Sequence, residues 1–487
     1  MTEPRRSGAL LGFCLACVSF ATSPAAAQDP AAPAAPAAPS PEALRLETVL
    51  SGGAALAPRA PAVLWRPGSH DATVVMTAED GNQTLHAWRE GLLGEPPLAT
   101  AAQLRKALGE PEQGPARFGN IAWLDQQTLR VERGNAVHRW TLGAERAETV
   151  LAWPEGASAV AVAPGDAHVA AVIDGNLMVI ARAADGSQTA RQLSFDGGPD
   201  IVYGGAAHRA EFGIQSGLFW SADGSRLAFY REDQRQIAPF PYHNLDTMPP
   251  QPRHGRYPMA GRTHGKVTVG VFDCASANTV YLAHDPDEDV YWTNVAFAPS
   301  GDVYVARVDR GQSRMELCAY DGLTGAKKST LLTESDPEWI EPEHPPTFLR
   351  DGRFLWWSSS DGYRHLYLHG PDGSRIGQVT KGSFDVQALH RVGDDGKVWF
   401  SASGEDPRQL HLFVTALDGD DTRQVTRERG THEVALSPDG AAAVATWSNL
   451  ETPPTLRLMA LPTGDVQPLP PVANPLLGYR LPTQRMF

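Results

Sequence analysis

The chain has 487 residues, 42% of them hydrophobic and 20% charged, with 46 Gly and 40 Pro. That length suits several average domains or one large repeat architecture; the composition excludes global disorder, and so many turn formers argue against long helices. A formal net charge of −14 with no Lys/Arg run speaks against nucleic acid and anionic lipid as partners; it serves solubility and is compatible with ligands that carry a positive amino terminus.

Residues 1–27 read as a signal peptide. Arg5-Arg6 form the charged region, residues 9–20 an apolar stretch too short to span a bilayer, and Ala25-Ala26-Ala27 a small-residue cleavage site. The surroundings of Arg5-Arg6 fit twin-arginine export poorly, and those of Cys17 fit lipidation poorly. Plain export to a periplasm or the exterior is expected. No later segment has the length and apolarity of a membrane helix. Residues 28–41 (QDPAAPAAPAAPSP) form an extended Pro/Ala linker that cannot build a core.

From residue 42 to 480 one pattern recurs: a Pro/Asp/Gly turn followed by an alternating apolar strand. It occurs at 64–77 (LWRPGSHDATVVMT), 122–131, 162–173, 219–230 (FWSADGSRLAFY), 297–306, 348–358 (FLRDGRFLWWS), 392–401 and 436–446 (LSPDGAAAVAT). The turn reverses the chain and the alternation buries one face of each strand. Most copies start roughly 40 to 60 residues apart, the length of a four-stranded blade. The pattern predicts an all-β chain: an eight-bladed β-propeller of four-stranded antiparallel blades, whose radial repetition leaves few exposed edges. A pair of β-sandwiches is the competing architecture. Residues 232–265, rich in Pro, His and Tyr, break the spacing and read as a long irregular loop leaving one blade.

Beyond the leader two cysteines remain, Cys274 and Cys318, both near predicted strands. They form either one disulfide or two separate buried thiols. Neither has the neighbours of a zinc site, and no metal or cofactor is expected.

Several strings resemble one family. HRAEFGIQSGLFWSADGSRLAFYRED (208–233), RYPMAG (256–261), FLWWSSSDGYRHLYLH (354–369), QVTKGSFDV (378–386) and WSNLETPP (447–454) occur in collinear order. They are similar to the N-terminal propeller of dipeptidyl peptidase IV-type enzymes of the prolyl oligopeptidase superfamily, with Met259 where the family has Lys. The resemblance implies an eight-bladed propeller that caps an α/β-hydrolase domain, restricts entry to short or unfolded peptides, and offers a Glu-Glu pair to the substrate's free α-amino group. By the same resemblance, residues 481–487 are the start of the strand leading towards that hydrolase.

The hydrolase signals are missing. A serine nucleophile in that fold needs the sharp G-x-S-x-G turn. Ser158 and Ser313 have Gly two residues before but Val160 and Met315 two residues after. No His follows His432, and His432-Glu433 lacks the second His of H-E-x-x-H. No catalytic residue is assigned.

The resemblance places Glu211 at the amino-group site, with Arg209 as a second substrate contact. Ala210 stands where the family has the other Glu, so one carboxylate replaces two. The competing reading pairs Glu211 with Arg209 or another Arg as an anchor. His208 is weighed as a further substrate contact; Tyr230, Arg231 and Asp233 as strand-end packing; Tyr242, His243 and Tyr257 as loop residues; and Trp356, Trp357, Tyr363 and Tyr367 as blade core. Two functions follow. One is the non-catalytic propeller of a serine dipeptidyl peptidase, gating peptides and anchoring their amino terminus for a separate α/β-hydrolase subunit. The other is a stand-alone periplasmic module that binds peptide or protein without hydrolysis.

Overall fold

The structure, a computed structural model, describes residues 42–52, 56, 60–89, 92–468, 476 and 478–480. The expected leader and linker lie outside these residues, as does the segment 481–487.

Each of the eight turn motifs becomes the hairpin between the first two strands of one blade. The reason is local. In Ser221-Ala222-Asp223-Gly224 the Asp223 carboxylate accepts the Ser221 hydroxyl at 2.6 Å and the Ser225 N–H at 3.0 Å, and Gly224 takes a φ of 68°. Ser437-Pro438-Asp439-Gly440 repeats the device: Asp439 accepts the Ser437 hydroxyl at 2.7 Å and the Ala441 N–H at 3.0 Å, with Gly440 at φ 73°. An acceptor side chain and a residue free to turn left-handed are what a tight reversal requires.

The blades span residues 62–93, 120–152, 159–192, 201–281, 290–335, 347–378, 386–424 and 431–468. Within each, strands pair antiparallel in chain order; the first blade adds Ala99–Thr100, and the innermost strand of blade 4 is split into Ile201–Tyr203 and Leu218–Trp220. Apolar faces meet between blades and close the ring. Leu85 packs with Trp140 between blades 1 and 2, Leu151 with Val169 between 2 and 3, and Val179 with Leu227 between 3 and 4. One large core runs through blades 4, 5 and 6 around Tyr230, Trp292 and Trp356. Val398 joins 6 to 7, Leu412 joins 7 to 8, and Val74 with Val444 joins 1 to 8. Polar contacts also join neighbouring blades: the Trp123 indole donates to the Thr73 hydroxyl at 2.8 Å, the Trp220 indole to the Ala161 carbonyl at 2.9 Å, and Arg130 to Asp166 at 2.8 Å.

Blades 6 and 7 share a buried clamp legible as HL…QVT in both. The Thr380 hydroxyl accepts the Leu366 N–H at 2.9 Å and bonds His365 Nδ1 at 3.1 Å; Thr426 does the same for Leu412 at 3.0 Å and His411 at 3.1 Å.

Several expectations change. The segment 232–265 is not irregular throughout: Pro239–Asn244 and Gln251–Arg256 pair as a regular antiparallel hairpin. Prolines break its sequence alternation but are tolerated, since a two-stranded ribbon is all edge. A helix, Ala101–Ala107, follows blade 1, closed by a capping box between Thr100 and Gln103. Tyr363 is not core but 39% exposed on a turn. Cys274, half-buried, and Cys318, buried, sit in different blades as free thiols. Burial, with Asp273 and Asp223 adding negative charge, pushes the Cys274 thiol up to about 11, which disfavours the thiolate.

A separate small unit contains the parallel pairing of Glu42–Ala43 with Tyr479–Arg480 and the helix Leu46–Gly52.

Candidate functional site

The split strand of blade 4 creates the site. Tyr203 lies opposite Arg231 and Leu218 opposite Phe229, so residues 204–217 leave the sheet between them. A neck holds the excursion: Gly204 N–H donates to Tyr230 O at 3.0 Å, Tyr230 N–H to Gly217 O at 2.9 Å, and Gly217 N–H to Gly204 O at 3.2 Å. A Cβ on Gly217 would stand 2.2 Å from the Gly205 carbonyl oxygen, so the neck closes only around glycine.

Beyond the neck the backbone is strained. His208, Arg209, Ala210 and Phe212 have φ of 51°, 59°, 63° and 57°, in the region L-residues avoid at a cost of about 1–2 kcal/mol each. Packing enforces this conformation. Ala207, Phe212 and Ile214 are buried in the core of blades 4 to 6. The buried His208 ring accepts the Trp292 N–H on Nε2 at 3.1 Å and lies edge-on to Tyr291, 5.0 Å between centroids. Burial first, then the His264 and Arg310 charges, hold His208 down to about 3, so it stays neutral. It is an anchor and not a substrate contact.

What the anchored segment displays is Arg209, Ala210 and Glu211, all exposed. Arg209 does not pair with Glu211. Its guanidinium lies 4.3 Å over the Tyr257 ring, which reaches it from the segment that follows the hairpin, and its field reaches Glu232. Among the described residues Glu211 forms no ion pair, so the reading that treats it as half of a structural pair is not met. Tyr257 also stacks with Phe240, 5.4 Å between centroids, tying this segment to the hairpin.

Sequence reading missed Glu232, His264 and Tyr291. Glu232 is partly buried beside the backbone of Gly265 and accepts the Gln234 amide at 2.9 Å. Burial lifts its carboxyl above the usual range, while Gln234, His264 and Arg209 pull the other way. His264 bonds Asp289 at 2.6 Å and stacks near Tyr291 at 4.9 Å. Nothing in the string around Glu232 distinguishes it from its charged neighbours. The other expected residues pack as strand ends: Tyr230 is buried, Arg231 bonds the Tyr203 hydroxyl at 3.0 Å and Asp196 at 2.9 Å, and Asp233 is held by Arg235. Tyr242 is 40% exposed against Phe240, and His243 is exposed. Among the described residues no group of His, Cys, Asp and Glu stands close enough to hold a metal ion, and no helix is long and apolar enough to cross a membrane.

Known proteins resemble this chain over most of the propeller. The sequence pattern of the dipeptidyl peptidase IV N-terminal region matches residues 125–454. A dipeptidyl-aminopeptidase B-type protein of Coccidioides posadasii is 26% identical over 300 residues, covering 55% of this chain and 33% of that protein. One of Tuber melanosporum is 26% identical over 369 residues, covering 67% and 40%. The chain thus spans about a third of the length of the first of these relatives and two fifths of the second. Two solved structures share the fold: a dipeptidyl aminopeptidase IV-type protein of Bacteroides ovatus, with TM-score 0.75, 24% identity, 90% of this chain and 64% of that one covered, and Porphyromonas gingivalis dipeptidyl peptidase 4, with TM-score 0.72, 18% identity, 91% and 64% covered. The eight-bladed ring and the matched region together establish that this chain belongs to the dipeptidyl peptidase IV N-terminal region family.

Proposed function

We propose that this propeller is the substrate-receiving half of a dipeptidyl peptidase system, gating peptide access and holding the substrate's free α-amino group on Glu211. The α/β-hydrolase that performs the cleavage is contributed from outside residues 1–487, and the chain works after export to a periplasm or the exterior. One observation carries the reading: a run of left-handed residues, held by buried packing, presents a carboxylate that has no ion pair among the described residues. Backbone strain of this kind is retained where surrounding structure imposes it, and it clusters at binding sites. An ammonium ion satisfies such a carboxylate through charge-assisted hydrogen bonds. Arg209, fixed on Tyr257, is the neighbouring donor for a substrate carbonyl.

The test is calorimetric binding of a short Ala-Pro peptide in free and N-acetylated forms to the protein and to Glu211→Gln. The free form is expected to bind at least about tenfold tighter, and Glu211→Gln to remove that difference. Equal binding of the two forms to the unmodified protein sinks the proposal. Hydrolysis of an Ala-Pro chromogenic substrate is expected only once a hydrolase partner is added.

A further inference from the structure

Blades 5 and 6 enclose a separate concavity of about 840 Å³. Its walls include Glu334 from the outer strand of blade 5, Asp336, Trp339 and Glu341 from the connection between the blades, and Trp357 and Tyr367 from blade 6. Trp339 is 56% exposed, and its indole N–H donates to Glu341 at 3.1 Å, which fixes the ring in solvent. Trp357 is backed by His344, 4.2 Å between centroids. Tyr367 is 1% exposed, and its hydroxyl lies near Ser360 and Asp361 without a well-formed hydrogen bond among the described residues.

Three of the carboxylates here, Glu334, Asp336 and Glu341, accept hydrogen bonds from neutral donors. Glu334 accepts the Trp356 indole N–H at 3.1 Å, and Asp336 accepts the backbone N–H groups of Glu338 and Trp339 at 2.8 and 3.3 Å. Among the described residues Glu334, Asp336 and Glu341 form no ion pair. Of the two arginines that line the cavity, Arg364 pairs with Glu343, and Arg375 stacks 4.1 Å over the Tyr367 ring while its charge reaches Glu334. Burial lifts the Glu334 carboxyl above its usual range, while Ser358, Trp356 and the Arg375 charge pull the other way. Indole faces accept both an aliphatic stem and a cation, and carboxylates take the cationic head. A side chain that combines an apolar stem with a charged tip fits both.

The cavity adjoins the Glu211 segment. A Cβ on Gly213 would lie 2.3 Å from the Glu343 carbonyl oxygen, and Asn294 donates to the Pro342 carbonyl at 2.7 Å, so the wall connection packs on the excursion and on blade 5. We propose that this cavity is a subsite for a lysine or arginine side chain near the amino terminus of a bound peptide; it rests on the reading of Glu211 for the peptide's placement, not for the preference itself.

The experiment uses hexapeptides that differ only by Lys, norleucine or Glu at one of the first three positions, each with a free and an acetylated amino terminus. Binding to the purified protein is measured by calorimetry at low and high salt. At one position Lys is expected to bind about tenfold tighter than norleucine, with Glu weakest and the gap narrowing in salt. The double variant Glu334→Gln/Glu341→Gln is expected to abolish the Lys advantage while leaving the norleucine peptide unchanged. Trp339→Ala, at an exposed position, is expected to weaken Lys binding without altering the circular dichroism spectrum. The subsite is overturned if Lys and norleucine bind alike at all three positions, or if the Lys advantage survives in a folded double variant. If acetylation is without effect but the Lys advantage remains, the Glu211 reading fails and the subsite stands. If acetylation weakens binding but no Lys advantage exists, the subsite fails alone. If no peptide binds, both fail.

Discussion

His208 and Trp292 join blades 4 and 5 by one buried bond: the imidazole Nε2 accepts the Trp292 backbone N–H at 3.1 Å, 84 residues away in sequence. A protonated Nε2 cannot accept, so the contact exists only with neutral imidazole. The folded value of about 3 lies below the ordinary 6.5, so below pH 6.5 the unfolded chain binds more protons than the folded one. Stability from this group is full above pH 6.5 and falls as pH drops towards 3, by about 1.4 kcal/mol per pH unit for each such His. Burial lowers His344, His390 and His432 in the same direction. Glu232 and Glu334, raised by burial, act oppositely: their penalty at neutral pH is relieved as pH falls. Urea midpoints between pH 7 and 4.5 should therefore decline, and His208→Asn should show a shallower decline. An unchanged slope would contradict the assignment.

Gly213 has a φ of 68° and no room for a Cβ against Glu343. Gly213→Ala should cost about 1–3 kcal/mol and also reduce discrimination between free and acetylated peptides. Thermal melts and peptide calorimetry on the same sample read both effects.

Ala210 offers the converse. At φ 63° it is strained as alanine, so Ala210→Gly should hold or raise the stability, by up to about 1 kcal/mol, while loosening the segment that displays Glu211. Weaker free-amine binding in a protein no less stable is the expected pair of results.

The Thr380 and Thr426 hydroxyls each serve a buried amide and a buried imidazole. Thr380→Val and Thr426→Val should each cost about 1–3 kcal/mol, because the amide left behind is buried without a partner. As the clamps sit in different blades, the two losses should add, which a double variant followed by urea denaturation will show.

The blade repeat was legible because it is local. A turn such as Ser437-Pro438-Asp439-Gly440 closes on its own hydrogen bonds, and a short apolar run such as Leu227 to Tyr230, buried on both faces between neighbouring blades, marks the strand that follows a turn. The hairpin Pro239–Asn244 with Gln251–Arg256 was not legible, since its prolines erase the alternation that marks buried strands. Glu211 was reached through the strings around it, but its freedom from Arg209 was not. That depends on Tyr257 arriving from another segment to take the guanidinium.

By itself the sequence determined the all-β class and the number of blades, because turn chemistry and short apolar runs act over a few neighbouring residues; Glu211 was named through resemblance alone. Only the tertiary structure decided that His208 is an anchor, that Cys274 and Cys318 stand apart, and that Glu334, Trp339 and Trp357 share one cavity. Each of those outcomes depends on which blades become neighbours when the ring closes, and on how far burial then shifts a charge or leaves a carboxylate without its cation.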